Sequence, residues 1–252
     1  MRLKRIQSYI LGLLLVVSLS ACGGDGDTPT PPPATASATS AEGHWTGTTD
    51  TNRTVKALVL DDGIYWALYS DASNPSIIAG VIQGDSSSKN GAFTSSNARD
   101  FNLQTGMLEA LINGTYAMKQ NLNGTIVYQA GGQSTFTMTY NSDYDLTPDI
   151  NAVAGTYTGF VTATETVTVV VSTTGTISGS SNTGCIFTGS FLPRAHGNVY
   201  DVTVTFGNQA GCSNRNETVT GIAFYEASAK RLLSAALNST RTDGFVFIGT
   251  KP

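Results

Sequence analysis

Residues 55–69 read VKALVLDDGIYWALY, a pattern that predicts a β-hairpin. The runs 55–60 and 64–69 are rich in β-branched and aromatic residues, which favour strands. Between them, Asp61-Asp62-Gly63 supplies the positive φ that tight hairpin turns require. Two such runs around a glycine-containing turn indicate antiparallel strands that follow each other directly in sequence.

Similar short runs, separated by Gly, Asn, Asp and Ser, continue to the end of the chain. No segment after residue 42 shows long helical periodicity, although residues 102–111 are ambiguous and one helical turn is expected after Pro148. The runs form two series, 43–145 and 154–252, joined by a linker at 146–153. Each series holds about eight strands in about 100 residues, which predicts an all-β protein with two consecutive domains.

Both series open on the pattern Gly-x-aromatic-x-Gly, as GHWTG at 43–47 and as GTYTG at 155–159. An antiparallel sheet of this size either closes or folds into a sandwich, because open edges promote aggregation. We therefore expect two up-and-down antiparallel β-barrels, with a β-sandwich as the alternative. Alternation along the first strand turns His44 away from the core-facing Trp45, so its imidazole should point outward.

The N-terminal segment has the pattern of an export signal. A basic head precedes an apolar run at 10–19, and Leu19-Ser20-Ala21-Cys22 follows. The run is shorter than the roughly 20 residues of a membrane-spanning helix. This pattern resembles the signal sequence of bacterial lipoproteins, which implies removal of residues 1–21 and lipidation, palmitate included, at Cys22. Gly23 follows the cysteine in place of Asp, and by the same resemblance this favours the outer membrane.

Residues 22–42 predict a disordered tether. They contain half of the chain's eight prolines and no large apolar residue, so they cannot bury enough surface to fold. The first 21 residues carry three basic and no acidic groups, so their removal changes the formal charge from −4 to −7. This acidic balance argues against nucleic acid as a partner, and membrane contact is expected through the lipid alone.

The Gly-x-Trp opening also resembles the first strand of lipocalins and avidins, whose aromatic ring closes one end of an up-and-down barrel. The resemblance covers a few residues in each half, and Tyr157 replaces tryptophan in the second. Small barrels on a lipidated tether are also similar to Gram-negative surface lipoproteins that bind host transferrin or complement factor H. That similarity implies display at the cell envelope, but no motif here specifies a partner.

Two cysteines remain once Cys22 is assigned to lipid. Cys185 and Cys212 form an even pair in an oxidising compartment, so a disulfide is expected. If the runs that begin at Cys185 and Val199 are consecutive antiparallel strands, the end of the second returns to the start of the first and brings the sulfur atoms together. A metal or redox pair is the alternative, but Cys-x-x-Cys spacing and nearby histidines are missing.

Motifs of the common enzyme classes do not occur in this sequence. It contains no Gly-x-Ser-x-Gly elbow, His-Glu-x-x-His, phosphate-binding loop or dinucleotide fingerprint. The sequence shows no catalytic partner residue near either histidine, His44 or His196. The acidic turns at 61–62 and 143–149 lack the spacing of a calcium-binding loop. We therefore predict no enzyme, no catalytic residue, no cofactor and no metal site.

Aromatic residues in the first hairpin provide the one indication of binding. Alternation places Tyr65 and Tyr69 on the face opposite Trp66. If outward, the tyrosines would form a contact surface for a protein or glycan; if inward, they would belong to the core, which is the commoner case. We predict an outer-membrane lipoprotein, on the periplasmic or the surface-exposed face, that binds an unidentified ligand. The alternative is a structural or assembly accessory of the outer envelope without a small ligand.

Overall fold

The computed structural model describes residues 40–160 and 165–252. The predicted signal peptide, Cys22 and the predicted tether up to residue 39 lie outside the described residues. The described part belongs to one unit and consists mainly of antiparallel strands. Within these two ranges, no helix has the length and apolar character needed to cross a membrane.

Nine strands form the first sheet. They are β1 (Gly43–Thr49), β2 (Thr54–Val59), β3 (Ile64–Ser70), β4 (Ile78–Asp85), β5 (Ser87–Lys89), β6 (Ala92–Asn102), β7 (Gly106–Ala117), β8 (Asn121–Tyr128) and β9 (Gln133–Asn141). β1 pairs with β2 and β9, and β4 pairs with β6, so eight strands close into a ring and the short β5 lies beside β6. We call this sheet the first barrel.

Strand β6 pairs along one edge with two strands, β5 and β4, and a bulge interrupts it. Its first half pairs with β5, its second half pairs with β4, and the register against β7 shifts between Ser95 and Ala98. Extra residues in one strand of a pair bend it and increase its twist. The bend lets β6 close the barrel against β4.

The second barrel contains eight strands in simple sequential order. They are β10 (Gly155–Phe160), β11 (Thr166–Val171), β12 (Thr176–Ser181), β13 (Ile186–Pro193), β14 (Val199–Phe206), β15 (Thr218–Glu226), β16 (Arg231–Leu237) and β17 (Gly244–Thr250). β10 pairs with β17 and closes the ring. The prediction of two up-and-down barrels is therefore confirmed, and the sandwich alternative is wrong.

Three short helical segments connect strands: two lie between β9 and β10, and one lies between β15 and β16. The expected turn after Pro148 is α1 (Ile150–Val153), capped by the Asp149 side chain, which accepts a hydrogen bond from the Asn151 N–H at 2.9 Å. Single 3-10 turns occupy Ser142–Asp145 and Ala227–Ala229. The ambiguous run 102–111 is the turn between β6 and β7 and the start of β7.

Each barrel has its own apolar interior, and a third apolar cluster lies between the barrels. The third cluster consists of outward-facing residues of both barrels, among them Leu58, Trp66, Val81, Ile222, Leu233 and Val246. Polar contacts surround it: Lys56 pairs with Glu226, and Arg194 contacts Asp61 at 2.7 Å. The two barrels thus share a buried apolar contact, and their division into separately folding domains stays a prediction.

His44 differs from its predicted position at the surface. Its side chain does point away from the interior of the first barrel, but it is only 2% exposed because the second barrel covers it. The imidazole packs on the Phe224 ring with 4.2 Å between centroids, and its Nδ1 is buried without a hydrogen-bond partner among the described residues. Alternation separates the two faces of a strand, but it does not show which part of a barrel's outer surface the other barrel covers.

Candidate functional site

The two Gly-x-aromatic-x-Gly motifs have equivalent roles. Trp45 is fully buried, and its indole Nε1 donates to the Ala41 carbonyl at 2.9 Å. Tyr157 is fully buried too, and its hydroxyl donates to the Val153 carbonyl, again four residues earlier. Ala41 and Val153 are themselves buried in the interior of their own barrels. Each aromatic ring therefore fastens the segment before the first strand to its barrel.

The second glycine of each motif allows a close approach of backbones. A β-carbon at Gly47 would lie 2.0 Å from the Thr137 carbonyl oxygen of β9, and one at Gly159 would lie 2.0 Å from the Ile248 carbonyl oxygen of β17. These distances are far below van der Waals contact, so the strand pairings that close both barrels require glycine there.

The first barrel encloses a cavity of about 310 Å³. Its lining is mainly apolar and includes Val55, Ala57, Ala67, Ile112, Leu122 and Met138. Polar residues Thr49, Thr51 and Ser134 also line it, and they lie near the end of β1 opposite to Trp45. The cavity therefore has apolar walls and a polar rim at the end of the barrel away from the buried indole.

The predicted binding residues Tyr65 and Tyr69 lie inside the first barrel. Both are buried and line the cavity, so the prediction that they share a face is correct and the outward contact surface is not formed. Their rings cross over the neighbouring strand, where β-carbons at Gly84 and Gly80 would meet the tyrosine hydroxyls at 2.6 and 2.3 Å. Two glycines of β4 thus make room for the two rings. The Tyr65 hydroxyl donates to Ser95 Oγ at 3.0 Å.

Asp100 is the centre of a polar cluster in the cavity lining. The residue is 3% exposed. The Tyr69 hydroxyl donates to Oδ1 at 2.6 Å, and the Tyr128 hydroxyl donates to Oδ2 at 2.8 Å. Asn102 Nδ2 donates to the Tyr69 hydroxyl at 3.1 Å. Each carboxylate oxygen is therefore held in place by one phenol.

Arg53 provides a positive charge near this cluster without touching the carboxylate. Its guanidinium lies over the Tyr69 ring, 5.4 Å from the centroid. Its Nη1 donates to the Ser70 carbonyl at 2.9 Å, which fixes the side chain beside the cavity. The site thus combines a buried acid, an arginine and aromatic rings.

Burial dominates the titration behaviour of these groups. It raises the pKa of Tyr65 to about 12. Burial also raises the pKa values of Tyr69 and Tyr128, and the charge of Asp100 acts in the same direction. The pKa of Asp100 is raised, because burial disfavours the carboxylate more strongly than the tyrosine hydrogen bonds and Arg53 favour it.

Sequence reasoning missed Asp100, Tyr128, Asn102 and Arg53. A signal was present for two of them, because alternation from the buried Ala98 places Asp100 and Asn102 on the inner face of β6. A charged residue at an inward position of a strand is unusual and indicates a polar cluster or a site. The bulge in β6 and its ambiguous C-terminal boundary hid this pattern.

The second barrel holds a smaller cavity of about 210 Å³. Its lining is dominated by valine and phenylalanine side chains, such as Val169, Phe187 and Phe206. Tyrosine side chains do not line it in the described ranges, and its acidic residues Glu165 and Asp243 are exposed or half-buried. The two cavities therefore differ chemically, and the buried carboxylate belongs to the first.

The disulfide between Cys185 and Cys212 is present, as predicted. The Cα atoms are 4.5 Å apart, within the range for an undistorted bridge. The strands β13 and β14 are consecutive and antiparallel, with Phe187 opposite Phe206, so the predicted pairing is also confirmed. The bridge ties the loop between β14 and β15 to the start of β13.

Other polar residues singled out from the sequence contact charged side chains nearby and form no site of their own among the described residues. His196 is 61% exposed on its side chain, with Nδ1 at 4.0 Å from Glu42 Oε1. The acidic turn residues Asp61 and Asp62 contact Arg194 at 2.7 and 3.3 Å. In the described ranges, no three His, Cys, Asp or Glu side chains are grouped as a metal site would require.

No family model and no curated protein matches this chain. Solved structures of transferrin binding protein B are similar to it at low level. A tryptophan-to-alanine mutant of that protein from Haemophilus parasuis Hp5 is 8% identical, covers 78% of this chain and 65% of its own, and has a TM-score of 0.28. The isotype 1 protein from serogroup B Neisseria meningitidis is 10% identical. The match covers 79% of this chain and 58% of that protein, with a TM-score of 0.27.

This chain thus spans less than two thirds of the length of either structure. Both are transferrin-binding proteins, the group to which a similarity was expected. Both TM-scores lie below 0.5, and nothing about the ligand of this chain follows from them.

Proposed function

We propose that this chain is a lipid-anchored protein of the bacterial outer membrane that binds a small, largely apolar ligand inside its first barrel. The supporting observation is the cavity of about 310 Å³, whose apolar walls carry a few convergent polar groups near one end. Small-ligand sites usually have this form. Ala57 and Ala67 face each other across β2 and β3, and these small side chains leave room in the interior.

Binding is tested by calorimetric titration of the lipid-free mature chain, residues 22–252 with Cys22→Ala, with 1-octanol. We expect saturable binding, and we expect Ala67→Phe to abolish it because the new ring would occupy the cavity. Ala92→Phe is the matched control, since Ala92 is exposed on β6. Binding that survives Ala67→Phe, or an absence of binding in the unsubstituted chain, would contradict the proposal and favour the accessory function.

The anchor is proposed from Leu19-Ser20-Ala21-Cys22 and from the acyl chemistry of such motifs. Cys22→Ala in the full chain should move the protein from the membrane fraction to the soluble fraction. Protease treatment of intact cells then distinguishes the surface-exposed face, where the barrels would be degraded, from the periplasmic face. Unchanged membrane fractionation of the variant would show that another anchor exists.

A protein or glycan partner is a further part of this proposal, and it concerns the outer surface of the barrels. Tyr65 and Tyr69 are buried, so they do not contribute to such a surface. A partner of this kind would be detected by crosslinking on intact cells, with the Cys22→Ala form as the control.

A further inference from the structure

The carboxylate of Asp100 is buried without a positively charged group in contact. Among residues 40–160 and 165–252, no lysine, arginine or histidine nitrogen forms an ion pair with it. Arg53 acts on it from a distance, since that guanidinium lies over the Tyr69 ring and donates to the Ser70 carbonyl. A charge taken out of water is costly unless it is paired and hydrogen-bonded.

The hydrogen-bonding capacity of the Asp100 carboxylate is only half used. An ionised carboxylate offers about four lone-pair positions. The hydroxyls of Tyr69 and Tyr128 occupy one position on each oxygen. Two acceptor positions therefore remain, on a side chain that forms part of the cavity lining.

The aromatic rings beside Asp100 provide a second attraction for positive charge. Tyr69 and Tyr128 both line the cavity, and the faces of such rings attract ammonium groups. Arg53 already uses this attraction at the Tyr69 ring. The rest of the lining is apolar and suits a hydrocarbon body.

We propose that the first barrel binds a small organic cation, with its ammonium group at the Asp100 carboxylate and its hydrocarbon part in the apolar lumen. The ammonium group supplies a counter-charge in contact with the carboxylate and donates to the two acceptor positions that the tyrosine hydroxyls leave free. This inference rests on the proposed function, because it names the chemical class of the ligand in the same cavity.

The test compares three probes of equal chain length, n-octylamine, 1-octanol and octanoate, by calorimetry on the lipid-free mature chain at pH 7.5. We expect n-octylamine to bind at least ten-fold more tightly than 1-octanol and octanoate to bind most weakly. Asp100→Asn should remove the preference for the amine and keep 1-octanol binding. Glu109→Gln, which removes an exposed negative charge from the outer wall, should leave the preference unchanged.

The outcomes separate the two proposals. Equal binding of n-octylamine and 1-octanol would overturn the cation proposal and leave the cavity proposal intact, whereas no binding of any probe would overturn both. Tightest binding of octanoate would assign recognition to Arg53 and also overturn it. If Asp100→Asn does not fold, the carboxyl carbon of Asp100 is followed by NMR in the unsubstituted chain. Its pKa should fall on addition of n-octylamine, and an unchanged pKa would refute the contact.

Discussion

Acid should destabilise this protein because His44 is buried, and the substitution His44→Gln should remove this acid sensitivity. Burial lowers the pKa of His44 from 6.5 to about 4, Glu226 opposes this shift, and Lys56 adds to it. Between these two values the unfolded chain binds a proton that the folded chain does not. The contribution of His44 to the free energy of unfolding is therefore fully present above pH 6.5 and is lost as the pH falls towards 4.

The size of the effect follows from the shift. Each pKa unit corresponds to about 1.4 kcal/mol, so the loss should reach about 2 kcal/mol at pH 5 and about 3 kcal/mol below pH 4. Urea unfolding at pH 7.5, 6 and 5 measures it. Both tryptophans, Trp45 and Trp66, are buried and report unfolding by fluorescence. Other groups titrate in this range, so the quantity of interest is the difference between the wild type and His44→Gln.

His196→Gln is the matched control, because the His196 side chain is 61% exposed and its removal should leave the acid sensitivity in place. If His44→Gln loses as much stability between pH 7.5 and 5 as the wild type, the assignment to His44 is refuted. The ring protons of His44 in the wild type give an independent measurement by NMR. A midpoint near 6.5 would contradict the argument even if the variant does not fold.

Three more predictions concern the barrels. Replacing both Cys185 and Cys212 by alanine should lower the free energy of unfolding by about 3.5 kcal/mol through a more flexible unfolded state, and equal urea midpoints with and without the bridge would contradict this. Gly47→Ala should lower the free energy of unfolding by about 2 kcal/mol or more, because the new β-carbon meets the Thr137 carbonyl oxygen. Thermal unfolding measures this loss, and an unchanged midpoint would show that β1 and β9 can move apart to accept the methyl group. A chain cut between residues 141 and 153 should give at least one piece with a folded β-type circular dichroism spectrum, since each barrel closes its own sheet. Two disordered pieces would show that the barrels fold only together.

The inner residues of the cavity were partly predictable. The alternation in 64–69 correctly separated Tyr65 and Tyr69 from Trp66, because successive side chains of a strand point to opposite faces. The same rule applied to β6 would have placed Asp100 beside them. Whether the tyrosine face was inside or outside depended on the direction in which the sheet curved, and local sequence does not specify that.

The sequence by itself indicated most of the strands and their sequential order, but it did not predict the short β5 and left the start of β7 ambiguous. Strands and turns follow from alternation and turn residues within short stretches of chain, and the disulfide was predicted from an even cysteine pair next to two consecutive antiparallel strands. The tertiary structure alone decided which outer faces become buried. His44 faces outward from its own barrel, yet the second barrel covers it. Asp100 is buried inside the closed first barrel, away from water. Both outcomes depend on contacts between residues far apart in sequence, because burial and electrostatic environment are properties of the packed molecule.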